Sequence, residues 1–391
     1  MPAPRNRHES TPSPHHRRAN QYGGPVVEEP VRPDLDGASV AGLVPGLLAH
    51  PRHSWLPAIA REAKNVVLLV LDGFGWHCLE DHPELLPTIC SMQGGHITTV
   101  VPSTTSTALT SIATGLAPAQ HGLLGYRIVL SGSVFNVLRW EMPNGKRPPD
   151  PFDVQRHTPF LGREVPVVTR SEFRATGFTQ AHLRGGRFMG WQTVATLVEH
   201  CCQLAEAGEP LVYAYYPGVD SVAHEFGLRG PYWRRELRFV DDLVAALLEG
   251  LPPETALLVT SDHGQVHLER EDWMDLRALG SLVDMMAGDG RFRYLYAQRG
   301  GARELAEAAR EIVGDHAWVF TRREILEDGW IGSGATGTIP GRLGDVVLAS
   351  KDTTAFIDPK LPNEAKLRSG HGSLTRAEML VPLVAATGRR G

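Results

Sequence analysis

Three apolar runs of this sequence each lead into an aspartate, and this repeated arrangement constrains the fold more than any other feature. The runs VVLLVL, LVYAYY and ALLVT precede Asp72, Asp220 and Asp262. Continuous apolarity over such lengths is typical of parallel strands that are covered on both faces. Segments that follow these strands gather outside the carboxyl edge of an open sheet. We therefore expect the three aspartates to lie close together.

The order of the remaining patterns favours an α/β fold with a mostly parallel central sheet and helices on both faces. Helical patterns near 191–207 and 231–249 alternate with the strand-like runs. Such alternation is the signature of a parallel sheet. Near the C-terminus, the runs at 344–350 and 380–386 are predicted to return to this main sheet.

Composition shifts divide the chain into a tail, a main domain and two insertions. Residues 1–35 are rich in proline, arginine, histidine and polar residues, so a disordered tail is predicted there. The main domain then covers 36–391. We expect an inserted cap at about 126–188, where glycine and proline are frequent, and a small α/β unit at about 276–335.

Charge and cysteine content limit the possible partners and compartments. The chain has 391 residues and a net charge of −5, which argues against nucleic acid as a bulk partner or an anionic membrane surface. Its four cysteines form no CxxC pair, which favours a reducing compartment. Neither a membrane-spanning run nor the apolar core of a signal peptide is seen, so we expect a cytoplasmic protein. The oligomeric state stays open.

Histidines accompany two of the three aspartates, and another follows near the C-terminus. Asp220 and His224 are spaced D-x-x-x-H, Asp262 is followed directly by His263, and His371 lies in SGHG. Each pattern taken alone is more often a helix cap or a loop residue. Together, so many partly buried titratable groups would be costly without cations. Mixed aspartate and histidine ligands suit zinc, and other divalent ions are possible.

The ordered set of motifs resembles the alkaline phosphatase superfamily, and within it the nucleotide pyrophosphatase/phosphodiesterase branch. The motifs are VLDGFG, PSTTSTALTSIATG, AQHG, DSVAH, SDHG and SGHG. The similarity covers about 65–125, 190–267 and 340–391. The resemblance implies that the predicted α/β fold, with its mostly parallel central sheet, is alkaline phosphatase-like.

The resemblance implies two divalent metal ions, with zinc expected and manganese as the alternative. It also implies a nucleophilic hydroxyl at the start of the helix that ends in TG. The position that matches is Thr105, which is flanked by Thr104 and Ser106. The structural alternative for Thr105 is a helix N-cap. The implied metal ligands are Asp72, Asp262 and His263 for one ion, and Asp220, His224 and His371 for the other, with Thr105 beside them.

The activity implied is that of a two-metal phosphodiesterase or nucleotide pyrophosphatase. Thr105 would attack in line, giving a covalent phosphoryl- or nucleotidyl-threonine that is then hydrolysed. The expected substrate is a small phosphodiester or pyrophosphate. Two alternatives stay open: a phosphomonoesterase or phosphomutase of the same superfamily, and a non-catalytic binding protein that keeps the fold. A monoesterase would need cationic groups near Thr105, and PSTTST contains none.

Two positions depart from the branch that the chain resembles. Ser106 stands where an aromatic residue often stacks on a base, and Ala108 stands where an asparagine contacts phosphate. Arg127, in the predicted cap, is a candidate replacement for the phosphate contact. The aromatic residues of the cap either line the substrate site or form the cap's own core. They are Tyr126, Phe135, Trp140, Phe152 and Phe160.

Overall fold

The computed structural model describes residues 29–390. Its strands are β1 (Asn65–Leu71), β2 (Gln93–Thr98), β3 (Arg127–Leu130), β4 (Ser133–Asn136), β5 (Pro166–Arg170), β6 (Arg187–Trp191), β7 (Leu211–Tyr216), β8 (Thr255–Thr260), β9 (Val266–His267), β10 (Trp273–Asp275), β11 (Val283–Gly288), β12 (Phe292–Ala297), β13 (Ala317–Thr321), β14 (Val346–Ser350), β15 (Ala355–Ile357), β16 (Ser369–Gly370) and β17 (Leu380–Thr387).

Most of the α-helices connect these strands. They are α1 (Leu43–Leu48), α2 (Ala58–Glu62), α3 (His77–Asp81), α4 (Pro87–Cys90), α5 (Thr105–Thr114), α6 (Pro118–His121), α7 (Pro151–Val154), α8 (Gly177–His182), α9 (Val194–Glu206), α10 (Gly218–Phe226), α11 (Gly230–Gly250), α12 (Ala302–Val313), α13 (Arg322–Glu327) and α14 (Arg376–Met379).

A seven-stranded sheet forms the centre of the molecule, with the strand order β2-β17-β8-β1-β7-β5-β6. Strand β1 pairs in parallel with both β7 and β8, whereas β17 pairs antiparallel with β8 and β2. The predicted α/β fold with a mostly parallel sheet is therefore confirmed.

Strand β1 shows why this sheet needs apolar side chains on both faces. Leu68 and its alternate neighbours pack in the core layer that contains Leu109 and Ile112 of α5. Leu69 and its alternate neighbours pack in the opposite layer, with Leu197 of α9 and Val240 of α11. Because side chains alternate across a strand, a strand covered on both sides has no polar position left until it ends.

A second, smaller sheet has the order β11-β12-β14-β13 and is antiparallel throughout. Helix α12 packs against it through Leu305 and Ala309, which share a core with Leu295 and Leu348. Strand β14 thus belongs to this sheet, and the prediction that 344–350 returns to the main sheet is wrong. The short apolar run at 344–350 is compatible with a strand of either sheet. Its pairing with β12 and β13 places it in the smaller one. The other predicted return strand, 380–386, is β17 and does lie in the main sheet.

The segment predicted as a cap supplies one strand to the main sheet. Within 126–188, β3 and β4 form a separate hairpin, but β5 pairs in parallel with β6 and β7. The hairpin packs against β11 of the smaller sheet. The domain boundaries themselves stay a prediction.

Most of the predicted disordered tail, 1–35, lies outside the described residues. The part that is described makes specific contacts: the Val31 amide donates a hydrogen bond to the Leu374 carbonyl, and Arg32 stacks on Trp330. Among residues 29–390, no helix combines the length and the apolarity needed to cross a bilayer.

Candidate active site

The three aspartates that follow the apolar runs lie together at the carboxyl edge of the main sheet. Asp72 follows β1 and Asp262 follows β8, while Asp220 lies in the first turn of α10, after β7. The two loops after β1 and β8 are joined by a 3.1 Å hydrogen bond from the Gly73 amide to Asp262 Oδ1. Three neighbouring parallel strands therefore each deliver one carboxylate to the same place.

His263 lies at the centre of one cluster. Its Nε2 atom is 3.4 Å from Asp72 Oδ1 and 3.5 Å from Asp262 Oδ2. Neither of these carboxylate oxygens has a hydrogen-bond partner, although both are buried. The ring's Nδ1 atom lies 3.1 Å from the Gly264 carbonyl, which can only accept. Nδ1 therefore carries the proton, and Nε2 presents its lone pair to the two aspartates.

His224 and His371 form the centre of a second cluster. Their Nε2 atoms lie 3.3 Å apart, and Asp220 Oδ1 is 3.3 Å from that of His224 and 3.8 Å from that of His371. Each Nδ1 atom lies 3.1 Å from a backbone carbonyl, that of Ser369 or that of Ser103. Both carbonyls accept the Nδ1 proton, so two lone pairs and a carboxylate converge on one point. A cation at that point relieves their mutual repulsion.

The two groups of side chains that could hold a metal ion differ slightly from the two ligand sets that the family resemblance implies. The nitrogen and oxygen atoms of Asp72, Asp262 and His263 lie within 4.8 Å of one another. The same is true of Asp220, His263 and His371, so His263 borders both groups. Its ring stacks on that of His371 with centroids 3.8 Å apart. The structure brings all the implied ligands together. His224 joins the second group because its Nε2 atom lies 3.3 Å from His371 Nε2.

The electrostatics of the cluster reflect burial of several like charges. Burial raises the pKa of Asp72 well above its usual range, and the neighbouring Asp262 and Asp220 raise it further. The Tyr215 hydroxyl, which donates to Asp72 Oδ2, acts in the opposite direction. Burial also raises the pKa of Asp262 and lowers that of His371. The protein alone thus resists charging this site, and a bound cation would offset that resistance.

Thr105 is the first residue of α5, and its hydroxyl lies 3.1 Å from His263 Nε2. The N-cap of the helix is Thr104, and no side chain caps the helix. The structural alternative in which Thr105 is the N-cap is therefore wrong. Because the first-turn amides of a helix have no acceptor within the helix, they stand free beside Thr105 to bind an anion.

The neighbouring chain segments fix the position of Thr105 relative to His371. The Ser103 amide donates a 3.1 Å hydrogen bond to the Gly372 carbonyl, while the Ser103 carbonyl faces His371 Nδ1. The start of α5 is thus tied directly to the C-terminal histidine segment. No short-range pattern in the sequence reveals this link, because the segments are far apart along the chain.

Two cavities of different character border Thr105 and Asp220. The apolar cavity, of about 250 Å³, also reaches Asp72 and is walled mainly by Leu109, Phe173, Phe178, Leu183 and Tyr215. The polar cavity, of about 410 Å³, reaches His224 and His371 and is bordered by Tyr126, Arg139, Trp273 and Asp289. Sequence reasoning missed most of these walls, since they come from separate helices, strands and loops without a recognisable motif.

Most of the cap residues singled out from the sequence do not line the site. Arg127 is buried, forms an ion pair with Glu364 and donates a 3.3 Å hydrogen bond to the Gly288 carbonyl. Phe135, Trp140 and Phe160 are buried in the core, whereas Phe152 is exposed. Tyr126 alone of the aromatic candidates borders a cavity that contains Thr105.

The sequence matches the family described as type I phosphodiesterase / nucleotide pyrophosphatase over residues 66–374. The chain belongs to this family. It is therefore a hydrolase, and the predicted membership of the alkaline phosphatase superfamily is confirmed. The matched segment includes every one of the implied ligands and Thr105. A search of curated proteins finds no protein that matches this chain.

Solved structures share the fold of this phosphodiesterase at low sequence identity. Murine ectonucleotide pyrophosphatase/phosphodiesterase 5 has a TM-score of 0.64 and 16% identity, covering 83% of this chain and 88% of its own. An inactive threonine-to-alanine variant of it, in complex with AMP, gives 0.62 and 16%, covering 82% and 87%. Phosphonoacetate hydrolase from Sinorhizobium meliloti 1021, in complex with phosphonoformate, gives 0.59 and 18%, covering 83% and 90%.

Proposed function

We propose that this protein hydrolyses small phosphodiesters or pyrophosphates, with Thr105 as the nucleophile and two divalent metal ions, expected to be zinc. The observation that carries the proposal is the position of the Thr105 hydroxyl, 3.1 Å from His263 Nε2 and at the border of two cavities. A substrate that spans both cavities has its reacting group beside this hydroxyl.

The donor atoms of the site fit divalent ions. Three buried carboxylate oxygens, Asp72 Oδ1, Asp220 Oδ1 and Asp262 Oδ2, have no hydrogen-bond partner. The facing Nε2 atoms of His224 and His371 add two unprotonated nitrogens. Mixed oxygen and nitrogen donors without cysteine are typical of zinc and also accept manganese. Asp72, Asp262 and His263 would hold one ion, and Asp220, His224 and His371 the other.

Bound ions would supply positive charge that lowers the pKa of the adjacent hydroxyl and stabilises the charge that develops on the phosphoryl group. The chain's own residues then perform the displacement. Thr105 Oγ1 forms a bond to phosphorus while the bond to the leaving oxygen breaks, and the free amides at the start of α5 bind a non-bridging oxygen. Water then breaks the threonine–phosphorus bond and releases the second product.

The comparison with the murine protein supports the choice of a threonine. That protein is inactive when one threonine is replaced by alanine, and the variant is in complex with AMP. The two alternative functions predict different behaviour. A phosphomonoesterase would prefer p-nitrophenyl phosphate, and a binding protein would bind metal without turnover.

The experiment is to assay the zinc- or manganese-loaded protein on bis(p-nitrophenyl) phosphate and on p-nitrophenyl phosphate. We expect a preference for the diester, its loss with a chelator, and a fall in kcat of about 1,000-fold or more in Thr105→Ala. Thr110→Ala is the matched control, because its hydroxyl bonds to the Ser106 carbonyl within α5. Full activity in Thr105→Ala would reject the nucleophile. Two bound ions per chain without turnover of any ester would favour the binding protein.

A further inference from the structure

We propose that the polar cavity receives the leaving group and that Arg139 binds an anion there, which makes Arg139 the residue that favours pyrophosphates over simple diesters. In pyrophosphates the departing group is itself a phosphate ester. This inference rests on the proposed function of Thr105, and it assigns the two cavities to the two sides of the reacting phosphorus.

The positions of the two cavities relative to the histidines decide which one takes the leaving group. In an in-line displacement the leaving oxygen departs on the side opposite the attacking hydroxyl, and a cation held by Asp220, His224 and His371 would stabilise it there. His224 and His371 border the polar cavity but not the apolar one. The apolar cavity, bordered by Asp72 and Thr105, then takes the group that stays on phosphorus.

Arg139 differs from the other arginines around the polar cavity because its charge is uncompensated. Its guanidinium has no hydrogen bond or ion pair with another residue in 29–390, and its side chain is exposed. By contrast, Arg291 pairs with the Glu378 carboxylate at 2.8 Å. Arg127 and Arg293 both pair with Glu364. A free guanidinium at the wall of a pocket is a strong ligand for phosphate oxygens.

The backbone that carries Arg139 is held in place on both sides. Its amide donates a 3.0 Å hydrogen bond to Asn136 Oδ1, at the end of β4. The next residue, Trp140, is buried and packs edge-on against Phe135 with ring centroids 4.9 Å apart. The guanidinium therefore extends from a fixed turn rather than from a free loop, which reduces the entropy lost on binding.

Glu364, an acidic residue at the same cavity, is already paired with two arginines. The two oxygens of Glu364 are engaged by Arg127 and Arg293. Burial raises the pKa of Asp289, and the nearby Arg127 and Arg293 act in the opposite direction. An anionic leaving group therefore meets Arg139 at a cavity where the charge of Glu364 is already compensated.

The test compares two substrates that leave the same group on phosphorus. Bis(p-nitrophenyl) phosphate releases p-nitrophenol, whereas P1,P2-bis(p-nitrophenyl) diphosphate releases p-nitrophenyl phosphate. We expect Arg139→Ala to lower the ratio of kcat/KM for the diphosphate to that for the diester by about 10- to 100-fold, the effect of one charge-assisted hydrogen bond. Arg139→Lys should recover part of the loss. Arg303→Ala, an exposed arginine on α12, is the control and should leave the ratio unchanged.

An unchanged ratio in Arg139→Ala would overturn the inference, including the case in which both substrates lose activity equally. A second measurement needs no turnover. The diphosphate is titrated into metal-loaded Thr105→Ala protein with and without Arg139→Ala, and we expect about 10-fold weaker binding in the double variant. Equal affinities would overturn the inference. Full activity of Thr105→Ala would instead reject the proposed nucleophile, so the two failures are distinct.

Discussion

The hydroxyl of Tyr215, on β7, donates a hydrogen bond to Oδ2 of Asp72, at the end of the neighbouring strand β1. The bond occupies one carboxylate oxygen and leaves the other, Oδ1, directed at His263 Nε2. A side chain of the neighbouring strand β7 thereby sets the orientation of a proposed metal ligand. Such supporting hydrogen bonds tune the affinity of metal sites.

Replacing Tyr215 should therefore weaken metal binding without unfolding the protein. We expect Tyr215→Phe to lower the affinity for zinc by about 10- to 100-fold, because Asp72 loses its orienting donor. Isothermal titration of the metal-free protein measures the change. Tyr213→Phe is the matched control, since Tyr213 lies on the same strand and its buried hydroxyl has no hydrogen-bond partner. Equal losses in both variants would show that Tyr215 acts through packing.

Removing the metal should destabilise the folded protein. The unpaired oxygens of Asp72, Asp220 and Asp262 concentrate negative charge in a buried site, and a bound dication offsets this repulsion. We expect a chelator to lower Tm and added zinc to restore it, with a rise that follows the logarithm of the free-metal concentration. In His371→Asn, the zinc-dependent rise in Tm should be much smaller. An identical rise in the variant would exclude His371 as a ligand.

Gly73 should tolerate no side chain, for reasons of both backbone and space. Its φ is +72°, and an added Cβ would lie 2.1 Å from Gln265 Nε2. Gly132 has the same φ of +72° but open space around its Cβ position. We expect both alanine variants to lose about 1 kcal/mol of stability from backbone strain. Only Gly73→Ala should also lose metal affinity, because its amide holds Asp262 Oδ1. Retained affinity in Gly73→Ala would contradict this.

Acid should destabilise the protein through two buried neutral histidines. Burial lowers the pKa of His121 to about 3 and that of His182 to about 4. In the unfolded chain both groups take up a proton near pH 6.5, whereas the folded protein does not. Their stabilising effect is thus complete above pH 6.5 and is lost as pH falls towards the folded pKa values.

As the pH falls below 6.5, each of these histidines should lower the free energy of unfolding by about 1 kcal/mol per pH unit. Denaturant unfolding between pH 7 and pH 5 measures the slope. His182→Phe, which keeps the stacking on Phe178 without titrating, should flatten it. The exposed His53 is the control, and His53→Gln should leave the slope unchanged. A steep limb that survives in His182→Phe would exclude His182 as a cause.

The sequence predicts the carboxyl edge of the sheet well, because the feature that forms it is local. Each long apolar run has to be a covered strand, and the first polar residue after it has to lie at the edge. Asp72 follows directly from this rule, and Asp262 lies two residues beyond the end of β8. Tyr215 could not be identified in the same way. It lies within a continuous apolar run, and only the pairing of β7 with β1 gives its hydroxyl a partner.

Arg127 and Arg139 show the limit of the same reasoning. Both are arginines of the predicted cap, and nothing in their neighbours along the chain separates them. The difference arises from Glu364, a residue far away in sequence that neutralises Arg127 and not Arg139. Whether a charged residue is free to bind a ligand therefore depends on partners that only the fold brings near.

The last strand, β17, is inserted between β2 and β8, and β2 has no other partner in the main sheet. During synthesis on the ribosome, the sheet stays divided until residues 380–387 have emerged. A nascent or prematurely terminated chain presents two bare strand edges, which are open to association with other chains. We expect such fragments to associate with other chains, and hydrolytic activity to arise only after residues 380–387 have joined the sheet.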